Sequence, residues 1–190
     1  MSRKALFQLL AASLSLACTQ APIDAIVADS EPPPSTEDCN VGVTQVTGAK
    51  IRLRAEASQR CLAVGDMSPV FGNPAYLTKM VDDCVNDAEV WQPTLVTGGN
   101  FELRSQSINY NLDMEMASMS DGTRAIIYAP QPFNLNQRFF LIPRAPRVFL
   151  IEPAHVQMKC ITERSPTPVM EPCDATATDQ NWEILPANCD

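Results

Sequence analysis

The sequence predicts an all-β domain built from short strands, and three observations carry that reading. Seven glycines and 16 prolines punctuate the chain into short segments. Runs of alternating apolar and polar residues recur along it. No apolar stripe at helical spacing extends beyond about ten residues. Closely spaced short strands of this kind build barrels or sandwiches.

Taken in order, residues 1–17 read as a secretory signal. Arg3 and Lys4 precede an apolar run from Ala5 to Leu16 that ends in small residues. The run is too short to remain as a membrane span. Two processing schemes fit. Ser15-Leu16-Ala17 suits an ordinary signal peptidase, whereas Leu16-Ala17-Cys18 resembles a bacterial lipobox in which Cys18 becomes the lipidated first residue. Ser15 stands where the usual lipobox has Leu. The odd count of seven cysteines favours lipidation, because removing Cys18 leaves six that can pair in an oxidising compartment. Thr19 follows Cys18 in place of the Asp that holds lipoproteins at the inner membrane, which points to the outer membrane.

Residues 18–38 read as the lipidated Cys18 and a disordered tether rich in proline and acid, such as Glu31-Pro32-Pro33-Pro34. A disordered N-terminus with no role fits the same composition. Residues 39–190 then form the folded domain. Its expected strands include Ile51-Arg52-Leu53-Arg54, Phe101-Glu102-Leu103-Arg104, Ala125-Ile126-Ile127-Tyr128, Phe139-Phe140-Leu141-Ile142 and Val148-Phe149-Leu150-Ile151. Thr97-Gly98-Gly99-Asn100, Ser120-Asp121-Gly122-Thr123 and Pro143-Arg144-Ala145-Pro146 separate them as turns.

The domain repeats itself. Glu89-Val90-Trp91, Gln137-Arg138-Phe139 and Gln180-Asn181-Trp182 recur at near-equal spacing, each with an upstream partner at Cys61-Leu62-Ala63, Asn111-Leu112-Asp113 and Cys160-Ile161-Thr162. Over residues 45–186 the chain resembles the ricin B-type lectins, whose β-trefoil holds three repeats, each with a Gln-x-Trp signature. The resemblance implies a β-trefoil of three repeats. The signature aromatics Trp91, Phe139 and Trp182 would share one core. The resemblance also implies disulfides Cys61–Cys84 and Cys160–Cys173. Cys39 and Cys189 remain, and a bridge between them would join the ends of the chain, which a trefoil brings together.

In these lectins a working sugar pocket uses an Asp after the first strand, an aromatic further on, and an Asn directly before the signature Gln. A carboxylate accepts bonds from adjacent hydroxyls, an amide both donates and accepts, and a ring covers the apolar face of a pyranose. Repeat two retains all of these as Asp113, Tyr128, Asn136 and Gln137. Repeat one has Ala63, Asp82 and Ala88 at the matching places, and repeat three has Thr162, Glu171 and Asp179. One galactose-type site, in repeat two, is therefore implied.

Composition narrows the function. A net charge of −8 disfavours nucleic acid and a polybasic membrane patch, leaving the lipid anchor as the membrane attachment. A single His, His155, leaves little material for nucleophilic catalysis. No Cys-x-x-Cys pair suggests zinc. Asp82, Asp83 and Asp87 read as a solvated turn, and Met114, Met116 and Met119 as packing. No carboxylate pair is singled out for glycoside hydrolysis. The reading is a monomeric, non-enzymatic, lectin-like protein of the bacterial cell envelope, with no cofactor or metal and with a glycan or glycoconjugate as partner. Its rival is a β-trefoil interaction or inhibitor module that has lost sugar binding.

Overall fold

The computed structural model describes residues 46–70 and 73–187. The expected signal, Cys18, the tether and the Cys39–Cys189 bridge lie outside the described residues.

Twelve strands run through these residues as three successive sets of four. The first set is β1 (Ile51–Ala55), β2 (Cys61–Val70), β3 (Asn73–Val81) and β4 (Trp91–Val96). The second is β5 (Asn100–Ser105), β6 (Asn111–Met114), β7 (Thr123–Tyr128) and β8 (Phe139–Ala145). The third is β9 (Val148–Pro153), β10 (Lys159–Thr162), β11 (Val169–Pro172) and β12 (Trp182–Pro186). The outer strands of each set close a ring. β1 pairs with β12, β12 with β9, β9 with β8, β8 with β5, β5 with β4, and β4 returns to β1. Closure removes the exposed edges that a flat sheet would leave.

The inner strands form three hairpins, β2–β3, β6–β7 and β10–β11. β7 pairs with both β3 and β11. Met80 N donates to Pro166 O at 3.2 Å and Thr167 Oγ1 to Thr78 O at 3.0 Å, which joins the third hairpin to the first. A six-stranded barrel capped by three hairpins is the β-trefoil architecture that the resemblance implies.

The threefold pattern extends to the backbone. Gln59, Asn109 and Met158 each precede the first strand of a hairpin, and each has φ near +60° (62°, 60° and 60°). Trp91, Phe139 and Trp182 begin the last strand of each set and are fully buried, in one cluster with Leu53, Leu103 and Ile151. Each Trp indole finds a carbonyl: Trp91 Nε1 donates to Leu62 O and Trp182 Nε1 to Ile161 O, both at 2.9 Å. Buried indole N–H groups need such partners. Phe139 fills the same position without a polar atom.

The repeats are not equal. The first hairpin is longer than the others and carries a bulge between Val64 and Met67. Gly65 is required there, because a Cβ would lie 2.7 Å from Leu77 O. Disulfides Cys61–Cys84 and Cys160–Cys173 close the first and third sets at Cα separations of 5.5 and 5.0 Å. In the second set, Asn111 stands where the others have Cys61 and Cys160.

Candidate functional site

Each set places a one-turn 3-10 helix immediately before its last strand: Asp87–Glu89, Leu135–Gln137 and Thr178–Gln180. The final residue of each turn points inward and is buried. In set three, Gln180 Nε2 donates to Pro172 O at 2.8 Å and to Thr162 Oγ1 at 3.0 Å, while its Oε1 accepts from Asp174 N at 2.8 Å. In set two, Gln137 Nε2 donates to Ala129 O at 3.0 Å and to Asp113 Oδ2 at 2.7 Å, while its Oε1 accepts from Gln131 N at 2.9 Å. The amide is suited to this place because one side offers a donor and the other an acceptor. It ties the turn to its hairpin and aims the side chain that follows Leu112 or Ile161.

In set two that side chain is a carboxylate. Asp113 faces Ile126 in the β6–β7 ladder, and Asn111 faces Tyr128. Alternation along the strand puts Tyr128, Asn111 and Asp113 on one face of the hairpin. Asn136 Nδ2 donates to Asp113 Oδ1 at 2.5 Å and to Met114 O at 3.3 Å. The structure thus brings Asp113, Asn136 and Gln137 into one hydrogen-bonded group, with half-buried Tyr128 beside it by register.

The group is nearly dry, and Asp113 is only 3% exposed. Burial pushes its carboxyl up to about 6, against the hydrogen bonds from Gln137 and Asn136 that hold it down. Each carboxylate oxygen accepts one amide and keeps capacity for another donor. Asn136 Oδ1 is buried with no hydrogen-bond partner. A buried acceptor left unpaired costs free energy, so Asn136 Oδ1 holds hydrogen-bonding capacity beside Asp113 that the described protein groups do not use.

Sequence reasoning missed one member of the group. Asn111 Nδ2 donates to Gln137 Oε1 at 3.3 Å, and its Oδ1 accepts from Arg104 Nε at 3.4 Å. The signal for it was an amide at the position of a missing cysteine.

The other two sets hold different side chains at the matching places. In set three, Glu171 and Asp179 both bind Arg164, at 2.6 Å through Nη2 and 2.5 Å through Nη1. The guanidinium therefore spans the place that Tyr128 and Asn136 border in set two. In set one, the register corrects an expectation: Val81, not Asp82, faces Cys61 and so matches Tyr128. The chain bends out of β3 at Asp82, whose carboxylate pairs with Arg60 Nε at 3.0 Å. Lys79 faces Ala63, opposite the position matching Asp113. Glu89 has no amide with which to hold the hairpin, so Glu89 Oε2 instead accepts from Asn86 N at 2.5 Å. An open cleft of about 540 Å³ remains there, lined by Arg60, Lys79, Asp82, Asp83, Ala88 and Glu89 among others.

The remaining singled-out residues are also placed. His155 is half-buried with Nε2 3.0 Å from Ser118 O. Met114 packs in the core as expected, but Met116 and Met119 do not; both are exposed. The chain leaves β6 through a turn in which Met116 and Ala117 adopt φ of 59° and 51°, which swings the side chains outward.

No protein-family model matches the chain, and no curated protein sequence matches it. Solved structures do match. The designed threefold-symmetric protein ThreeFoil is 20% identical with a TM-score of 0.61, over 72% of this chain and 97% of that one. A Macrolepiota procera ricin B-like lectin in complex with lactose is 17% identical with a TM-score of 0.58, over 74% of this chain and 96% of that one. An exo-β-1,3-galactanase from Clostridium thermocellum is 19% identical with a TM-score of 0.63, over 73% of this chain but only 30% of the enzyme. At these identities the likeness establishes the β-trefoil fold and no more.

Proposed function

We propose that this chain is a non-enzymatic, lectin-like protein with one galactose-type sugar site in its second repeat. The observation that carries the reading is Asn136 Oδ1, buried and unpaired beside Asp113. Two neighbouring sugar hydroxyls would donate to Asp113 and to Asn136 Oδ1, and Tyr128 would cover the apolar face of the ring. Gln137 and Asn111 act as positioning residues, holding Asp113 and the turn in place. The lactose-bound lectin among the structural neighbours supports the sugar class. We place the protein at the bacterial envelope, exported and held at the outer membrane by a lipid on Cys18, on the strength of residues 1–18. A single site gives weak binding, which many copies on one membrane would raise through avidity.

The test is a glycan array probed with the disulfide-bonded protein and its Asp113→Ala variant. The expected result is signal on terminal galactosides that the variant loses while its circular dichroism stays unchanged. Silence from folded wild-type protein would reject the sugar reading. A second reading, a β-trefoil interaction or inhibitor module, draws on Arg164 spanning the third site and on the rewritten first site. It expects a protein contact that Asp113→Ala leaves intact.

A further inference from the structure

Apolar side chains in the segments next to the second-repeat site are held out in solvent. Phe133 is 84% exposed, Met119 65%, Met116 63% and Leu135 47%. Met116 belongs to the turn Glu115–Ala117, and Leu135 opens the turn Leu135–Gln137; the two turns pack against each other. Both turns lie directly on the site, since Asn136 of one donates to Asp113 and to the carbonyl of Met114 that leads into the other. Phe133 sits in the loop that joins Tyr128 to Asn136.

Two of these side chains stand on unfavourable backbone. Met116 has φ of 59° and Phe133 has φ of 64°, a region that suits Gly and Asn and is uncommon for bulky residues. Solvent-exposed apolar area disfavours the free protein, and here it lies beside the polar group of Asp113, Asn136 and Gln137. A ligand that covers this area while bonding to the polar group has a polar end and an apolar end.

We propose that the site takes a glycoside whose aglycone is apolar, with the sugar on Asp113 and Asn136 and the aglycone against Met116, Phe133 and Leu135. This rests on the sugar reading above and adds the class of its ligand. Sugar affinity from one small polar site is low, and burial of the rim by an alkyl or aryl group would supply the larger share.

The experiment titrates the whole chain, disulfides formed, with methyl β-galactoside and hexyl β-galactoside by calorimetry. The comparison proteins are Asp113→Ala and the double variant Met116→Asn with Phe133→Asn. Asn accepts the left-handed backbone, so the double variant removes the apolar rim while easing strain. The wild type should bind the hexyl compound at least about tenfold more tightly than the methyl one. The double variant should bring that ratio below about threefold with methyl β-galactoside binding unchanged, and Asp113→Ala should weaken both ligands. Equal binding of the two ligands by the wild type, or a hexyl gain that survives in the double variant, would overturn the aglycone proposal and leave the sugar site standing. Absence of binding by either ligand would overturn the sugar reading itself.

Discussion

Asn111 Nδ2 donates to Gln137 Oε1 at 3.3 Å, at the position where the first and third repeats have a disulfide. Repeat two thus exchanges a covalent closure for a polar one that also steadies the candidate site. Pro130 matches Cys84 and Cys173, because Gln131 N and Asp174 N bind the Gln of their own turn in the same way. The paired variant Asn111→Cys with Pro130→Cys should therefore form a third bridge. Closing a loop of about 20 residues is worth about 3 kcal/mol in the chain-entropy model. The lost hydrogen bonds of Asn111 offset about 1 kcal/mol of that. The oxidised variant should have a higher denaturant midpoint than oxidised wild type, and with both proteins reduced, their native bridges at Cys61–Cys84 and Cys160–Cys173 included, the variant should fall below wild type; an oxidised variant no more stable than oxidised wild type and titrating two more free thiols would show that no bridge forms.

β1 and β5 were legible from alternation by two, β8 and β9 as short apolar runs between turns, and the three triplets located the start of β4, β8 and β12. Asp113, Asn136 and Gln137 were legible through the resemblance to the ricin B-type lectins, which implies an Asp after the first strand and an Asn directly before the signature Gln. Arg164 was not, since its two carboxylates come from a strand and a turn that only the fold brings together. The place of Val81 was hidden by the bend at Asp82, which shifts the count by one. The outward swing of Met116 was also hidden, because it depends on a positive φ that nothing in a Met residue announces.

Trp182→Phe should be tolerated with a modest loss. Repeat two already fills this position with Phe139, so the barrel accepts the smaller ring. The variant leaves Ile161 O without the Trp182 indole, bonded at 2.9 Å in the wild type. A buried acceptor stripped of its donor costs about 1–3 kcal/mol. Chemical denaturation should show a lower midpoint with an unchanged m-value, whereas a changed m-value would mean that the core had loosened.

Arg164→Ala should cost less than about 1 kcal/mol, because its pairs with Glu171 and Asp179 are solvent-accessible. It should not alter sugar binding by repeat two. A change of binding in this variant would place part of the site in repeat three, and calorimetry on one galactoside decides between the two.

Asp113 should make both stability and binding depend on pH, in opposite directions. Its carboxyl is raised from 3.8 to about 6 in the folded protein, chiefly by burial. Between those values the native state holds a proton that the unfolded chain has released. Stability from this group is therefore complete below about pH 4 and is lost as pH rises through about 6, a loss on the order of 2–3 kcal/mol. Asp113→Asn cannot titrate and should flatten that slope in urea midpoints measured from pH 4 to 7. Sugar binding needs the ionised acceptor, so affinity should fall as pH drops below about 6. A galactoside that binds equally well at pH 5 and pH 7.5 would mean that the Asp113 carboxylate is not the group receiving its hydroxyls.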